Sequence, residues 1–476
     1  MDRKKLSIGF ISLYHLRDWG GITRLIDQIA IGLSALGHNI TIIAQEGKAS
    51  AKAPVSKRDY PHELITLDLS GAHGLRQARQ KIASSGLDIF VSTYAIYMPW
   101  LLYGSGIPFV IAGSIDPRVH TFERWQPYEH YGALYSADAI HILLADYAVF
   151  FPEALRPRMT VIGNPAPPPA PVDFAARRSA TTRTIIAVGR LNEDDKRLSY
   201  LLRTFTLLHT DFPPWRLKLV GDGPYWEYYR IMAEQLGIAK LVDFTGAVPD
   251  PDLHYSSADI LCLPSIRAEG LPMVFLEASA HALPIVGYSS CVASSALITP
   301  DIGTLADAEH PDGVIAALSH ALRTQMALSP KERECAGIRA RDSFQEKYGA
   351  RIVFDAWDKL LTDTINNTQR AGKTALEAIS ELSSNTITGI GPEWDGLGPN
   401  STIWTPSLMA QAAAEIASRE DPTSPPEQSG APEEAESVRL RCELARQQAD
   451  YTALEKKYAA LMTQFQTVAG KKHGKR

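Results

Sequence analysis

Short apolar runs alternate with helical patterns along the first 164 residues of the chain. The runs read "LSIGFISL", "NITIIA", "ELITLDL", "LDIFVST", "IPFVIAG", "AIHILLA" and "MTVIGN", and each has the length and residue types of a strand. After the first run, apolar residues from Ile22 to Leu33 keep the helical period, and Gly37 marks the end of that helix. Strands that are apolar throughout and separated by helices indicate a parallel sheet covered on both faces.

A proline-rich segment, "NPAPPPAPVD" at residues 164–173, interrupts this alternation. So many prolines continue neither a helix nor a central strand, so we expect a linker. After it the alternation restarts, with the strand candidates "TIIAVG", "RLKLVG", "VDFTGA", "DILCLP" and "LPIVGY". The sequence therefore predicts an α/β protein with two doubly wound, Rossmann-like domains, and a ligand cleft between them at the C-terminal ends of the strands.

The changes of pattern also predict the domain boundaries. We assign residues 1–164 to a first domain, the front lobe, residues 165–182 to the linker, and residues 183–345 to a second domain, the rear lobe. Beyond residue 365 the pattern weakens: residues 365–434 form an extension whose last part, "EDPTSPPEQSGAPEE", has the composition of a disordered linker. Residues 435–470 then place apolar side chains at a 4-3 spacing, which predicts a coiled coil for self-association or for a partner helix. A single amphipathic helix docked on the body is the alternative.

Composition narrows the possible functions. A net charge of −5 creates no basic field, so nucleic acid is not expected as a partner. The four cysteines are scattered, which argues against a metal site or a disulfide framework and suits a reducing cytoplasm. No apolar run is long enough for a transmembrane segment, and the N-terminal run leads to Arg17 and Asp18 rather than to a cleavage site. We therefore expect a cytoplasmic protein; the closing "KKHGKR" is either a solvated end or a peripheral contact with the inner face of the membrane.

The stretch "RAEGLPMVFLE", residues 267–277, follows a buried strand and leads into a helix. Pro272 suits the first turn of that helix, where a missing N–H costs nothing. Gly270 and the free amides of Leu271, Met273 and Val274 would then lie at a helix N-terminus, which attracts phosphate.

Two carboxylates, Glu269 and Glu277, flank these amides. The arrangement suits a sugar nucleotide, whose diphosphate would bind the amides while the carboxylates bind sugar and ribose hydroxyls. The alternative is that both acids are ordinary solvated residues, since carboxylates eight residues apart are common.

Two cations favour the sugar-nucleotide site over the alternative of ordinary solvated acids. In "VGRLNEDDK", Arg190 and Lys196 follow the first strand of the rear lobe, directly after Gly189. Cations at that edge of the sheet point into the same cleft, and fixed positive charge is what a departing diphosphate needs. Either cation alone would pass as a surface residue.

Gly20 and Gly21 follow the first strand of the front lobe, where a glycine pair lets the backbone approach a ligand. The third glycine of the dinucleotide fingerprint is missing, so NAD binding is disfavoured. In the rear lobe, the backbone of "GAVPD" around Val248 is expected to contact the nucleotide base, which leaves UDP and GDP both open.

Taken together, "GGITR", "GR" with a lysine six residues on, "LVGDGP" and the two glutamates resemble a family 4 glycosyltransferase of the GT-B fold over about residues 5–362. The resemblance implies a retaining, metal-independent transferase that uses a UDP- or GDP-sugar as donor and needs no cofactor. It assigns Arg190 and Lys196 to the diphosphate, Glu269 to the donor sugar and Glu277 to the ribose. The backbone from Gly270 to Met273 would hold phosphate and sugar, with Gly21 closing over the diphosphate. Residues 346–364 would form a helix that crosses back to the front lobe.

The sequence departs from the family on the acceptor side. Many members carry a front-lobe histidine close to the donor sugar, and here "VSTYAIYMPW" has none. "AGSIDPRVHTFERW" offers Asp116 and His120 instead, and His120 either fills that role or is an ordinary surface or cleft-lining histidine.

Two functions are therefore compared. The first is transfer of a sugar to the hydroxyl of a glycan or lipid-linked acceptor, in the synthesis of a bacterial polysaccharide or glycoconjugate. The second is a catalytically weak sugar-nucleotide-binding module whose coiled coil acts as an assembly scaffold. Deleting residues 420–476 would separate them, because an enzyme keeps its turnover and a scaffold loses its partner contacts.

Overall fold

The computed structural model of the protein describes residues 4–11, 21–45, 60–67, 77–78, 80–93, 105–114, 116–117, 134, 137–151, 153–266 and 269–367. The predictions for Gly20, for His120 and for the coiled coil at 435–470 lie outside the described residues, as does the extension beyond residue 367. The chain divides into two compact units, Met1–Ile416 and Ala417–Arg476, and every described residue belongs to the first unit.

In the front lobe, seven strands of the described residues form one parallel sheet in the order β3-β2-β1-β4-β5-β6-β7. Their bounds are β1 (Ser7–Ile11), β2 (Asn39–Gln45), β3 (Glu63–Leu67), β4 (Ile89–Ser92), β5 (Phe109–Ala112), β6 (Ala139–Ile142) and β7 (Met159–Val161). The three strands β4, β5 and β6 are buried along their whole length, as expected for strands covered on both faces. The strands predicted for this lobe are confirmed.

In the rear lobe, six strands of the described residues form a second parallel sheet in the order β10-β9-β8-β11-β12-β13. Their bounds are β8 (Arg183–Val188), β9 (Trp215–Val220), β10 (Val242–Gly246), β11 (Ile260–Leu263), β12 (Ile285–Tyr288) and β13 (Gly303–Ala306). The short edge strand β13 was not predicted, because "GTLA" has neither an apolar run nor a clear alternation. The predicted pair of doubly wound, Rossmann-like domains is confirmed.

The helices of the described residues cover the two sheets and connect their strands. They are α1 (Gly21–Ala35), α2 (Phe174–Ser179), α3 (Glu193–Lys196), α4 (Leu198–Leu208), α5 (Trp226–Gln235), α6 (Asp252–Ser256), α7 (Met273–Ala280), α8 (Val292–Leu297), α9 (Val314–Ala327), α10 (Pro330–Tyr348) and α11 (Ala350–Asn366). Across this described part of the chain, none of the helices combines the length and the apolar character needed to cross a membrane.

The proline-rich segment is attached to the rear lobe. The amide of Ala166 donates to the carbonyl of Tyr348 at 2.7 Å, and the amide of Ala170 donates to the carbonyl of Ala280 at 2.9 Å. Helix α2 lies within the predicted linker, and its Arg177 donates to backbone carbonyls that include that of His281. The connection between the lobes therefore follows the ends of α7 and α10 instead of running free.

Helix α11 packs on the front lobe although it comes last among the described elements. Trp357 is fully buried in the apolar cluster of that lobe, with its ring 4.6 Å from the ring of His141. The ring of Phe354 fits over Gly32 of α1, where a Cβ atom would lie 2.3 Å from it. His38 and Asp358 add a polar contact of 2.9 Å. Together these contacts tie the end of the described chain back to the first domain.

An apolar cluster joins the two lobes. It contains Tyr147 and Phe151 of the front lobe together with Leu271, Phe275 and Cys291 of the rear lobe. The lobes are thus in direct contact beside the loop that carries Glu269.

Candidate active site

The loops after β8 and β11 meet where the strand order of the rear sheet reverses. β8 and β11 are parallel neighbours at the centre of that sheet. Doubly wound sheets bind ligands at such a switch point, beyond the C-terminal ends of the strands. Lys196 follows β8 and Glu269 follows β11, and the Nζ atom of the lysine lies 2.6 Å from an Oε1 atom of the glutamate. The structure therefore brings these two predicted residues together.

The local backbone places Lys196. The residue ends helix α3, whose first turn is capped by the side chain of Asn192, an acceptor for the amide of Asp194 at 3.2 Å. Arg197 follows with φ 50°, a left-handed conformation that separates α3 from α4. Gly189 has φ 145°, a conformation that residues with a side chain rarely adopt, and a Cβ atom there would be in ordinary contact with the Cε atom of Lys196 at 3.6 Å.

The glycines of "LVGDGP" pack closely against the backbone of the loop that carries Lys196. A Cβ atom on Gly221 would lie 1.9 Å from the carbonyl oxygen of Gly189, and one on Gly223 would lie 2.5 Å from the carbonyl oxygen of Leu191. The amide of Leu191 in turn donates to the carbonyl of Asp222 at 2.9 Å. These glycines are required by close backbone packing under the lysine loop.

Two donors orient the carboxylate of Glu269. The hydroxyl of Ser265, which is fully buried, donates to the same Oε1 atom at 2.6 Å. Hydrogen bonds to an ionised acceptor are short and directional, so the ammonium and the hydroxyl together fix the carboxylate. The side chains of Lys196 and Glu269 are 21% and 11% exposed, so the pair is largely desolvated and still accessible to a ligand.

The loop after Glu269 presents open amides. Within the described part of the chain, the N–H groups of Leu271, Met273 and Val274 donate to no protein acceptor. They lie at the N-terminus of α7, where the helix dipole favours negative charge. The prediction for Pro272 needs a correction: Pro272 is extended, with ψ 122°, and precedes the helix as its cap residue, so the first turn begins at Met273.

Glu277 lies on α7 and is buried. The hydroxyl of Tyr255 donates to its Oε2 atom at 2.8 Å, and the ring of His281 stacks on that of Tyr255 with centroids 5.4 Å apart. Burial raises the pKa of Glu277, and the hydrogen bond from Tyr255 and the charge of Arg24 oppose this effect. Arg24 belongs to "GGITR" on helix α1 of the front lobe, so this carboxylate lies where the two lobes face each other.

The other predicted residues occupy different surroundings. Arg190 is exposed next to Gly189, and among the described residues its side chain has no hydrogen-bonding or ion-pair partner. Val248 is half-buried against the apolar cluster that joins the lobes. Gly21 opens helix α1. Asp116 is only 1% exposed, so its carboxylate is part of the interior in this structure.

Several residues of the site were not found from the sequence. Ser265, Tyr255 and Arg24 contact or influence the two glutamates, and Asn164 and Tyr147 hydrogen-bond to the loop after Glu269. Ser265 and Asn164 each follow a strand, which was an available signal, whereas nothing in the pattern points to Tyr147. Over the described ranges, no three His, Cys, Asp or Glu side chains group in a way that could hold a metal ion.

Comparison with known proteins gives a family match for the rear lobe. Residues 172–342 match the family described as Glycosyl transferases group 1, so this part of the chain carries that domain, including Lys196 and Glu269. An uncharacterized glycosyltransferase of Haemophilus influenzae is 30% identical over 183 residues, which are 38% of this chain and 49% of that protein. A GDP-mannose-dependent alpha-(1-6)-phosphatidylinositol monomannoside mannosyltransferase of Mycolicibacterium smegmatis is 32% identical over 166 residues, which are 32% of this chain and 42% of that protein. The chain thus spans less than half the length of these two relatives.

Solved structures share the whole two-lobed arrangement. HepE of Anabaena in complex with UDP and glucose matches with a TM-score of 0.59 and 14% identity, over 75% of this chain and 99% of that one. At this identity the likeness establishes the fold, and the fold is GT-B.

Proposed function

We propose that the protein is a retaining glycosyltransferase, which moves a sugar from a nucleoside-diphosphate sugar to an acceptor hydroxyl. The observation that carries the proposal is the ion pair of Lys196 and Glu269 at the switch point of a rear lobe with a Glycosyl transferases group 1 domain. A donor lying across this pair would place its diphosphate on the ammonium and its sugar hydroxyls on the carboxylate.

The diphosphate would be held by charge and by backbone. Lys196 is fixed by Glu269, while Arg190 is exposed at the same edge of the sheet and can turn toward an anion. The open amides of Leu271 and Met273 supply neutral donors at a helix N-terminus. Cations and amides that already point at one place stabilise developing charge without having to reorganise.

The reaction breaks the bond between the anomeric carbon and the β-phosphate oxygen and forms a bond from that carbon to the acceptor oxygen. The departing phosphate becomes more negative, and Arg190 and Lys196 would compensate this charge, a role that needs no metal ion or other cofactor. With attack on the same face, the acceptor proton passes to the leaving phosphate oxygen, and the anomeric configuration is retained. The protein mainly positions the reacting groups.

The carboxylate of Glu277 would bind the ribose, with Tyr255 holding it in place. The matched relatives and structures support both candidate bases, since one relative is GDP-mannose-dependent and one structure contains UDP and glucose. The acceptor would be a glycan or a lipid-linked glycan that enters beside the front lobe, in the synthesis of a bacterial polysaccharide or glycoconjugate. The phosphatidylinositol monomannoside in the name of the Mycolicibacterium relative supports the lipid-linked form.

A panel of UDP- and GDP-sugars tests the proposal. One donor should raise the melting temperature of the protein and be hydrolysed slowly without acceptor, since a bound ligand stabilises the folded state. Replacing Lys196 or Glu269 by alanine should reduce the hydrolysis by roughly 100-fold or more while the protein stays folded. Binding without any turnover would support the scaffold function instead, and near wild-type turnover in both variants would refute the assignment of these residues.

A further inference from the structure

A tyrosine of the front lobe holds the backbone of the rear-lobe loop. Tyr147 lies in the short 3-10 helix Ala145–Phe150 that follows β6, and it is 1% exposed. Its hydroxyl lies 2.5 Å from the carbonyl oxygen of Glu269 and 2.7 Å from that of Gly270. The amide nitrogen Nδ2 of Asn164, at the end of the front lobe, donates to the next carbonyl, that of Leu271, at 2.7 Å. Three consecutive carbonyl groups of this loop therefore face donors from outside the rear lobe.

The direction of these carbonyls determines the direction of the amides. In a trans peptide the C=O and N–H bonds point to opposite sides. The carbonyl of Glu269 shares its peptide with the N–H of Gly270, and the carbonyl of Gly270 shares its peptide with the N–H of Leu271. Both N–H groups therefore point away from Tyr147, and within the described residues neither donates to a protein acceptor.

The amides of Gly270 and Leu271 precede Pro272, which has no N–H, and the open amides of Met273 and Val274 follow at the start of α7. A row of N–H groups ahead of a helix N-terminus is an anion site only if the peptide planes turn the same way. In this loop a hydroxyl from the other lobe sets two of those planes.

We propose that Tyr147 is a positioning residue of the diphosphate site, which turns the amides of Gly270 and Leu271 toward the anion. The inference rests on the proposed function. It also implies that the anion site is complete only while the lobes make the contact seen here, because the hydroxyl and the amides belong to different lobes.

The simpler explanation of these contacts is that Tyr147 is a buried core residue whose hydroxyl donates to the nearest available carbonyl. This explanation makes a different prediction. Under that explanation, loss of the hydroxyl costs some stability and leaves ligand binding unchanged. Under the proposal, Tyr147→Phe removes the one O–H donor that the carbonyls of Glu269 and Gly270 share. The loop relieves this loss by rotating the peptides, which misdirects the amides.

Tyr288→Phe is the matched control. The Tyr288 hydroxyl is also buried and also donates to one backbone carbonyl, that of Val314, at 2.8 Å. Each substitution removes one oxygen from a buried ring, so we expect similar decreases in melting temperature. Of these two tyrosines, Tyr147 contacts the loop after Glu269 and Tyr288 does not.

The experiment is calorimetric titration of the full-length wild type and the two variants with UDP, GDP, uridine and guanosine. We expect Tyr147→Phe to weaken binding of the preferred nucleoside diphosphate about tenfold, the size of one lost charge-assisted hydrogen bond, and to leave nucleoside binding unchanged. Tyr288→Phe should change neither. Should Tyr147→Phe fail to fold, hydrogen exchange of the wild type provides the test: the amides of Gly270 and Leu271 should gain protection when the nucleoside diphosphate is added and not when the nucleoside is added, and unchanged exchange at both amides would overturn the inference.

Wild-type affinity of Tyr147→Phe for the diphosphate would overturn the inference and leave the proposed function standing. Equal weakening toward nucleoside and diphosphate would also overturn it, since that result describes general damage to the cleft. If the wild type binds neither diphosphate, the inference and the proposed function fall together.

Discussion

Replacing Lys196 by alanine removes the cation from a pair whose nitrogen and oxygen atoms lie 2.6 Å apart. The carboxylate of Glu269 then keeps the hydroxyl of Ser265 as its partner in a site where its side chain is 11% exposed. Two unit charges about 3 Å apart attract by roughly 5 kcal/mol at an effective dielectric constant of about 20, and much of this offsets their desolvation. We expect the variant to lose about 1–3 kcal/mol of unfolding free energy, because a partly buried carboxylate is left without its counter-charge.

Lys359→Ala is the matched control for stability. Lys359 pairs with Asp363 at the same distance of 2.6 Å, but these side chains are 75% and 51% exposed on helix α11. An exposed pair one helical turn apart contributes about 0.3–0.5 kcal/mol. Urea unfolding should therefore separate the two alanine variants, although the substitutions and the distances are alike.

The effect on turnover should be larger than the effect on stability. A fixed donor aimed at developing charge contributes roughly 100–1000-fold to kcat, so Lys196→Ala should reduce donor turnover by about that factor. Lys359→Ala should not change it, and Lys196→Arg, which keeps the charge with a different shape, should recover part of the loss. Chromatographic measurement of nucleoside diphosphate release tests this expectation, and a kcat/KM for Lys196→Ala near that of the wild type would refute the reasoning.

Three further predictions concern other parts of the molecule. Burial lowers the pKa of His141 from 6.5 to about 4. Between these two pH values the unfolded state binds one more proton than the folded state, so the free energy of unfolding decreases as the pH falls. Urea unfolding should show that His141→Asn makes the decrease between pH 7 and pH 5 smaller by about 2 kcal/mol. Burial raises the pKa of Glu277 above its ordinary value of 4.5, so ionisation of this carboxyl costs stability as the pH rises from about 4.5 through the pKa of the folded state. Over this pH range the melting temperature of Glu277→Gln should therefore rise relative to that of the wild type. A difference in melting temperature that does not change with pH would contradict this. Trp357→Ala should cost about 3–5 kcal/mol by leaving a cavity between α11 and the front lobe, measured by urea unfolding.

Much of the fold follows from the periodicity of the sequence. Apolar runs such as "NITIIA" and "DILCLP" are buried on both faces, so their residue types alone indicate parallel strands. Helix α10 is the clearest exception, because "KERECAGIRARDSFQEK" has few apolar residues and no evident stripe. Its start was nevertheless recognisable, since Ser329, Pro330 and Glu332 form a capping box with proline in the first turn.

The sequence could predict those residues of the candidate site that lie in loops directly after strands. Lys196 and Glu269 both follow strands of a doubly wound sheet, so their proximity was predictable from the position of each loop. The contact of Tyr147 with Glu269 joins residues 122 positions apart in different lobes, and lobe packing decides it. The burial of Asp116 and the correction at Pro272 likewise depend on tertiary packing and on the exact start of a helix.

The most direct test of the central claim is the affinity of the wild type for each member of the series nucleoside, monophosphate and diphosphate, with uridine and with guanosine. If Lys196, Arg190 and the loop amides surround one pyrophosphate, the second phosphate should tighten binding at least about tenfold in one series. Lys196→Ala should lose most of that gain while still binding the nucleoside. Equal affinity for monophosphate and diphosphate in both series would contradict the claim.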